Sequence, residues 1–345
     1  MFRPNFRYTD KIVKNLTFIA EARAIILNAP LVPKWEVSLR RDAILRSAHS
    51  STAIEGNRLS FEQVSDLARG REVMAARRDK QEVLNYLGAL ERIPEFAGRS
   101  PFTRDDLLEI HKTITKDTLE NPKYEGAFRD RQVVVVDRAT GEVVFTPPPT
   151  EEVLKLVDEL LEWINSEDAT KLDPVLGAGV IHYELVRIHP FVDGNGRTAR
   201  VMATLWLYKR GFDIKRFFCL DDYYDRDRRA YYEALKSVDQ ESLDLTKWLE
   251  YFTDGVAVSV GAVRDRVLGL SREIRVLKER GQVALTERQM KIVEWIMERG
   301  HITNREIRKM FGISNRAAVD ELSKLLKLQV IKKMGKGRSI RYVLV

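Results

Sequence analysis

The chain has one cysteine, Cys219, in 345 residues. A single thiol excludes an intramolecular disulfide and any multi-thiolate metal site. No apolar run approaches the roughly 18 residues that a bilayer span needs, so no membrane association is expected. The first residues, MFRPNFRYTDKIVKN, lack the apolar core of a secretion signal. These absences together predict a cytoplasmic protein. No G-x-x-x-x-G-K-[ST] string occurs, which removes the phosphate-loop route to nucleotide binding. Internal repeats and low-complexity tracts are also lacking.

What is present is ordinary in bulk and uneven in detail. Hydrophobic residues make up 44% and charged residues 32%, as in soluble globular proteins. The length exceeds one typical core and implies two or three domains. The net charge of +7 is concentrated at one end. Residues 283–345 hold 14 Lys and Arg against six acids, a net +8, which leaves −1 for residues 1–282. The basic character therefore belongs to one C-terminal module.

Helical signals dominate the order of elements. Ser60 with Gln63, Thr103 with Asp106, and Thr150 before Glu151 and Glu152 have the pattern of helix N-caps. Val153, Leu156, Val157, Leu160, Leu161 and Ile164 follow the 3,4 spacing of a buried helix face. The one strong strand signal is Gln132–Val136, with a turn at Ala139-Thr140-Gly141 and a return through Glu142–Phe145. Pro147-Pro148-Pro149 closes that lone hairpin. An isolated hairpin is marginal, so it is expected to lean on something or bind something. From about Leu243 to Gly281 the pattern is helical with mixed charge. Beyond it, Thr286 opens a helix to Arg299, Thr303 one to Phe311, and Ser314 one to about Leu328. Val330–Lys333 and Ser339–Leu344 then form strands around a turn at Met334–Gly337. Three helices and a basic hairpin predict a winged helix-turn-helix with Asn315–Lys327 in the recognition position.

The segment His189–Arg200, HPFVDGNGRTAR, concentrates the chemistry. Val180–Ile188 reads as the end of an apolar helix, which Pro190 cannot continue. Thr198–Leu207 reads as the next helix. Between them Gly194, Asn195 and Gly196 tolerate left-handed backbone. A glycine-rich turn running into a helix start forms an anion nest. Arg197 and Arg200 share a helical face and can clamp one polyphosphate. Asp193 supplies a carboxylate suited to phosphate-bound Mg²⁺. His189 is the expected proton acceptor for an incoming hydroxyl. Each residue alone also has a plain structural reading, and their concentration favours the chemical one. GNGRTA also matches a dinucleotide fingerprint, but no strand precedes it and no βαβ unit surrounds it.

The segment matches the Fic signature HPFx[DE]GN[GK]RxxR at all nine specified positions, and the chain resembles Fic-family protein adenylyltransferases over roughly Phe2–Thr253. The resemblance implies a mostly α fold: a Fic-type helical bundle with a β-hairpin flap, followed here by the winged helix-turn-helix. Together with the C-terminal pattern it gives four expected parts: an N-terminal helical region over 1–100, the Fic domain over 101–253, a helical connector over 254–282 and the winged module over 283–345. It implies ATP as substrate and Mg²⁺ as cofactor, with AMP passing to a Ser, Thr or Tyr hydroxyl of a target protein. His189 would deprotonate that hydroxyl, and Asp193 would hold the metal. Gly194, Asn195 and Gly196 would cradle the phosphates, while Arg197 and Arg200 neutralise them. Phe191 would anchor the loop. Gly126–Pro149 resembles the flap, with Val133, Val134, Val135 and Val136 as the strand that docks the target. Tyr231 and Tyr232 match a tyrosine pair near the adenine pocket, Tyr231 being the better match. Relatives often carry Asn eight residues after it, where this chain has Asp239.

Upstream, Ser51-Thr52-Ala53-Ile54-Glu55-Gly56-Asn57 resembles the inhibitory [ST]xxxE[GN] motif, whose N-terminal position marks a class II member. Ser51 and Glu55 would lie four apart on a short helix that Gly56 ends. Glu55 paired with Arg200 would occupy the γ-phosphate clamp and hold the enzyme off. The sequence leaves several alternatives open. The same site could remove AMP, or move UMP, phosphate or phosphocholine. The chain could modify itself or form a homodimer. Residues 283–345 could contact DNA or protein, and a DNA-binding regulator is the competing reading.

Overall fold

The computed structural model describes residues 2–29, 31, 33–136, 141–212, 214–279, 286–335, 337 and 340–345. These residues are mostly helical, with two small antiparallel hairpins. The chain divides into two units, Met1–Ile25 with Asp42–Val263, and Ile26–Arg41 with Arg264–Val345.

Among the described residues, six α-helices precede the first hairpin: α1 (Asp10–Asn28), α2 (Pro33–Ile54), α3 (Phe61–Leu67), α4 (Arg77–Glu91), α5 (Ile93–Ala97) and α6 (Arg104–Thr115). The hairpin is β1 (Val135–Val136) and β2 (Val143–Phe145). Then come α7 (Val153–Ile164), α8 (Glu167–Lys171), α9 (Pro174–Ile188), α10 (Asn195–Lys209), α11 (Asp221–Arg226), α12 (Arg228–Lys236) and α13 (Thr246–Glu279). The final elements are α14 (Glu287–Arg299), α15 (Asn304–Phe311), α16 (Asn315–Lys327), β3 (Ile331–Met334) and β4 (Arg341–Leu344).

The first unit is organised around α9 and α10, which pack closely along their length. Helix α9 has no solvent face over most of its length: Val175 through Leu185 are all buried. Close approach depends on Gly177, because a Cβ there would lie 2.5 Å from Trp206 Nε1 of α10. Helix α7 packs its expected stripe, Val153, Val157, Leu160, Leu161 and Ile164, inward against α9 and α6. Ser60 and Thr103 form the expected capping boxes with Gln63 and Asp106. Thr150 does not cap α7. It opens a 3₁₀ turn over Thr150–Glu152, and its hydroxyl accepts from Arg129 Nη1 at 2.8 Å. A competing side-chain donor has taken the oxygen that a cap would use.

The hairpin is shorter than its sequence suggests. Val135 pairs with Phe145 and Val136 with Val143, with a register shift between them. Gln132, Val133 and Val134 lie outside the ladder. Gln132 instead donates through its side chain to the Pro147 carbonyl at 3.0 Å. Of the expected turn, Ala139 and Thr140 fall outside the described residues.

In the second unit, Thr286, Thr303 and Ser314 cap the three helices as expected. Gly312, at φ +61°, turns the chain between α15 and α16. Ile292, Ile296, Ile307, Leu322, Leu325 and Ile331 belong to its core. β3 and β4 pair in register from Ile331↔Leu344 to Met334↔Arg341. Lys336, Arg338 and Ser339 of the expected hairpin lie outside the described residues. The element order here is α14, α15, α16, β3 and β4.

Candidate active site

The site begins where Pro190 stops α9. His189 occupies the C-cap in the left-handed region, at φ 50° and ψ 55°. Its Nδ1 lies 3.2 Å from the Val186 carbonyl. A carbonyl can only accept, so the proton sits on Nδ1 and the Nε2 lone pair is left to accept. Burial holds this imidazole below its ordinary range, which keeps it neutral near pH 7.

The turn that follows is locked from beneath. Phe191 is fully buried and stacks on His111, with centroids 3.7 Å apart and planes 6° from parallel. His111 accepts the Gly126 N–H at Nδ1 (3.0 Å) and meets the Asp193 carbonyl at Nε2 (2.9 Å). Burial pushes His111 down to about 4, so it acts as a neutral strut. Asn195 clamps the loop with its side chain: Oδ1 accepts from Phe191 N–H and Nδ2 donates to Phe191 O, both at 2.9 Å. That amide is engaged by the loop.

Of the three residues expected to tolerate left-handed backbone, only Gly194 adopts it, at φ +84°. Asn195 and Gly196 are already helical, so α10 begins three residues before Thr198. A Cβ on Gly194 would lie 2.8 Å from Thr115 Cγ2. The first helical bond runs from Thr198 N–H to Gly194 O at 2.9 Å. The N–H groups of Asn195, Gly196 and Arg197 therefore have no intrahelical acceptor.

Charge is arranged around that helix start. Asp193 lies at the rim, its side chain 41% exposed. Its Oδ1 accepts from Gly194 N–H at 2.5 Å and Arg197 Nη2 at 3.1 Å, while Oδ2 lies 3.4 Å from Arg78 Nη2. Burial works to raise its pKa, but Arg197, the Gly194 N–H and Arg78 hold it below the usual carboxylate range. Arg197 is buried, 3.6 Å from Glu82 Oε1, and its Nε and Nη1 have no hydrogen-bond partner. Such orphaned donors are costly to bury and suit a bound anion.

Arg200 is also buried and is held through Nε and Nη2. Its Nε donates to Ser51 Oγ at 2.6 Å, and Nη2 donates to Ser51 O at 2.9 Å and Glu55 Oε1 at 2.8 Å. Ser51 lies in the last turn of a longer helix than its motif implies: α2 runs 22 residues to Ile54, and Glu55 sits in the turn beyond it, ahead of Gly56 at φ +94°. Burial works to raise the Glu55 pKa, but Arg200 and Arg197 keep it ionised. A Cβ on Gly196 would collide with Glu55 Oε1. The carboxylate thus lies directly against the first turn of α10.

A cavity of about 160 Å³ is lined by Glu55, His189, Gly196 and Arg200, with Val135 and Phe145 of the hairpin and both tyrosines of the pair. Tyr231 is buried, its hydroxyl 2.9 Å from His182 Nε2 and its ring 4.6 Å from Tyr224. Tyr232 is 41% exposed. Asp239 does not line the cavity, because its Oδ1 accepts the N–H groups of Glu241 and Ser242. Gln240 lines it and donates to Tyr183 OH at 3.1 Å. Of the hairpin valines, Val135 faces the cavity, while Val134 and Val136 are exposed.

Two residues that sequence patterns miss complete the arrangement. Asp221 is buried with Oδ1 3.4 Å from Arg200 Nε, and accepts from Tyr86 OH at 3.2 Å and from Ser47 Oγ. Arg129 is buried and bonded entirely to neutral acceptors. Its Nε donates to His189 O at 3.0 Å, Nη1 to Thr150 Oγ1 at 2.8 Å and Nη2 to Pro148 O at 2.5 Å. Its backbone N–H donates to Pro190 O at 2.9 Å. One guanidinium thus ties the base of the hairpin to the backbone of the His189 turn. No local motif marks either residue, since both act across the fold.

Residues 101–207 match the family model described as Fic/DOC family. The chain is 32% identical over 183 residues to "Protein adenylyltransferase fic-1" of Caenorhabditis elegans, which covers 50% of this chain and 34% of that protein. It is 30% identical over 213 residues to "Protein adenylyltransferase Fic" of Nematostella vectensis, covering 59% and 46%. The chain thus spans between a third and a half of these curated relatives. Among solved structures, a Fic family protein from Desulfovibrio desulfuricans superposes with TM-score 0.65 at 24% identity, covering 100% of this chain and 98% of that one. Residues 134–508 of C. elegans Fic-1 superpose with TM-score 0.60 at 26% identity, covering 76% and 73%. The left-handed histidine cap and the nest at the start of α10 both fall within the matched stretch: residues 101–207 form a Fic/DOC family domain.

Proposed function

We propose that this site transfers AMP from ATP to a Ser, Thr or Tyr hydroxyl of a protein. The observation that carries the proposal is Arg197, buried with Nε and Nη1 making no hydrogen bond, at a helix start whose first N–H groups lack intrahelical acceptors. That combination suits a polyphosphate. In the reaction, the target hydroxyl oxygen attacks the α-phosphorus and its proton passes to His189 Nε2. The bond from that phosphorus to the bridging oxygen of the β-phosphate breaks, and pyrophosphate leaves. Arg197 and Arg200 neutralise the departing charge. Tyr231 and Tyr232 flank the space for the adenine, and the segment Val133–Val136, which runs into β1, docks the target backbone.

Among the described residues no group of three or more His, Cys, Asp or Glu could hold a metal ion alone. Asp193, partly exposed and beside the nest, fits a Mg²⁺ that arrives on the phosphates. Bound there, it would neutralise phosphate charge.

Glu55 occupies Arg200, the second phosphate clamp, and acts as a brake on this transfer, including transfer to the chain itself. Removal of AMP is the second reading, favoured by an ionised, partly exposed Glu55 that lines the same cavity as His189. Such a carboxylate would orient water against an AMP ester. The test is incubation of the chain with a candidate target and ATP labelled at either the α- or the γ-phosphorus, followed by mass spectrometry. Retention of the α label alone is expected. Retention of the γ label, or better incorporation from UTP, would overturn the assignment.

Arg129 makes a further expectation concrete. Arg129→Ala removes the tie between hairpin and His189 backbone, and Arg129→Lys cannot rebuild its fork. Misplacement of this order costs about 10²-fold in rate. Both variants are expected to lower the transfer rate by roughly that factor while ATP affinity changes little. An unchanged rate in Arg129→Ala would remove this role.

A further inference from the structure

The second unit carries a feature that phosphotransfer does not use: a strongly basic surface on α15, α16 and the β3–β4 hairpin. Two of the acids that dilute this charge in sequence, Glu321 and Glu306, are engaged inside the unit. Glu321 is buried and accepts from Gln289 Nε2 at 2.7 Å, with Arg288 Nη1 3.6 Å from its other oxygen. Glu306 is only partly exposed, and its carboxylate accepts the Thr303 N–H and hydroxyl at 2.7 Å each. Helix α16 buries Ala318, Glu321, Leu322 and Leu325, which turns Arg316, Asp320, Lys324 and Lys327 outward. The hairpin adds exposed Lys332, Lys333 and Arg341, and α15 adds exposed Arg305, Arg308 and Lys309. Of these outward charges on α15, α16 and the hairpin, only Asp320 is acidic.

We propose that α16 and the β3–β4 hairpin bind double-stranded DNA. A 13-residue helix is about 20 Å long. Its open face fits the roughly 12 Å wide major groove of B-form DNA, whereas the A-form major groove is too narrow to admit it. The lysines of the hairpin lie beside it, where phosphates flank the groove. Asn315, exposed at the first turn of α16, is the residue placed to contact a base edge. This inference rests on the second unit alone and stands or falls independently of AMP transfer.

The test is binding of the full chain to a labelled 24-base-pair DNA duplex, by fluorescence anisotropy across a salt series. Log affinity is expected to fall linearly with log salt. The pair Lys332→Gln and Lys333→Gln together should weaken binding and reduce the magnitude of that slope by about two. Arg316→Ala should weaken binding as well. Lys291→Gln, on the exposed face of α14, removes the same kind of charge outside the proposed surface and should leave binding unchanged. Thermal unfolding of each variant at the wild-type midpoint shows that the fold is retained. Three results would overturn the proposal: no duplex binding at low salt, equal loss in Lys291→Gln and the hairpin pair, or tighter binding to duplex RNA or polyglutamate than to DNA.

Discussion

Glu55→Gly is expected to raise AMP incorporation by roughly 10- to 150-fold. The variant removes one charge-assisted hydrogen bond, Arg200 Nη2 to Glu55 Oε1 at 2.8 Å. Hydrogen bonds to charged groups contribute about 1.5–3 kcal/mol, which converts to that range of rate. The gain arises because Arg200 is buried and cannot swing away to find phosphate elsewhere. With the carboxylate gone, Ser51 still orients the guanidinium through Nε and Nη2. The clamp is thus freed without being lost. Time courses of self-modification with α-labelled ATP read the effect directly. Equal incorporation by variant and wild type would show that the contact does not restrain the enzyme.

His189→Ala carries the second large effect, a loss of about 10²–10⁴-fold in transfer when measured in the Glu55→Gly background. The sign of the pH dependence follows from the same residue. Burial depresses the imidazole, so Nε2 remains unprotonated at neutral pH, and activity should fall only as pH drops below the ordinary imidazole range. The negative charge of Glu55 acts in the opposite direction, raising that pKa. Glu55→Gly should therefore shift the acid limb to still lower pH. A limb that moves upward in the variant, or His189→Ala retaining full rate, would remove His189 as the base.

How much of this was legible beforehand depended on whether a signal was local. The caps at Ser60, Thr103, Thr286, Thr303 and Ser314 were readable because each joins residues three apart. The HPFVDGNGRTAR segment was readable for the same reason, and so was the pairing of Glu55 with Arg200, once a known motif supplied the long-range link. What escaped were residues whose partners are distant in sequence. His111 touches Asp193, Arg129 touches His189, and Asp221 touches Arg200 and Tyr86, with nothing nearby to announce any of them. Thr150 failed as a cap because Arg129, 21 residues away, claims its oxygen. The side-chain amide of Asn195 holds Phe191, a tie that the residue type did not announce, while its backbone N–H stays in the nest. The start of α10 was misplaced because GNG suggests a turn, while only Gly194 is needed to make it.

The position of Gly196 constrains how such an enzyme could escape its own restraint. Glu55 Oε1 occupies the space that a Cβ at this residue would need, and that space adjoins the nest the phosphates require. A bulkier residue at 196 would evict the carboxylate and obstruct the substrate in the same stroke. Constitutive variants recovered by genetic selection should therefore cluster at residue 55 and be missing from 196. The crowding beside one glycine leaves the off switch removable only from the segment that carries it.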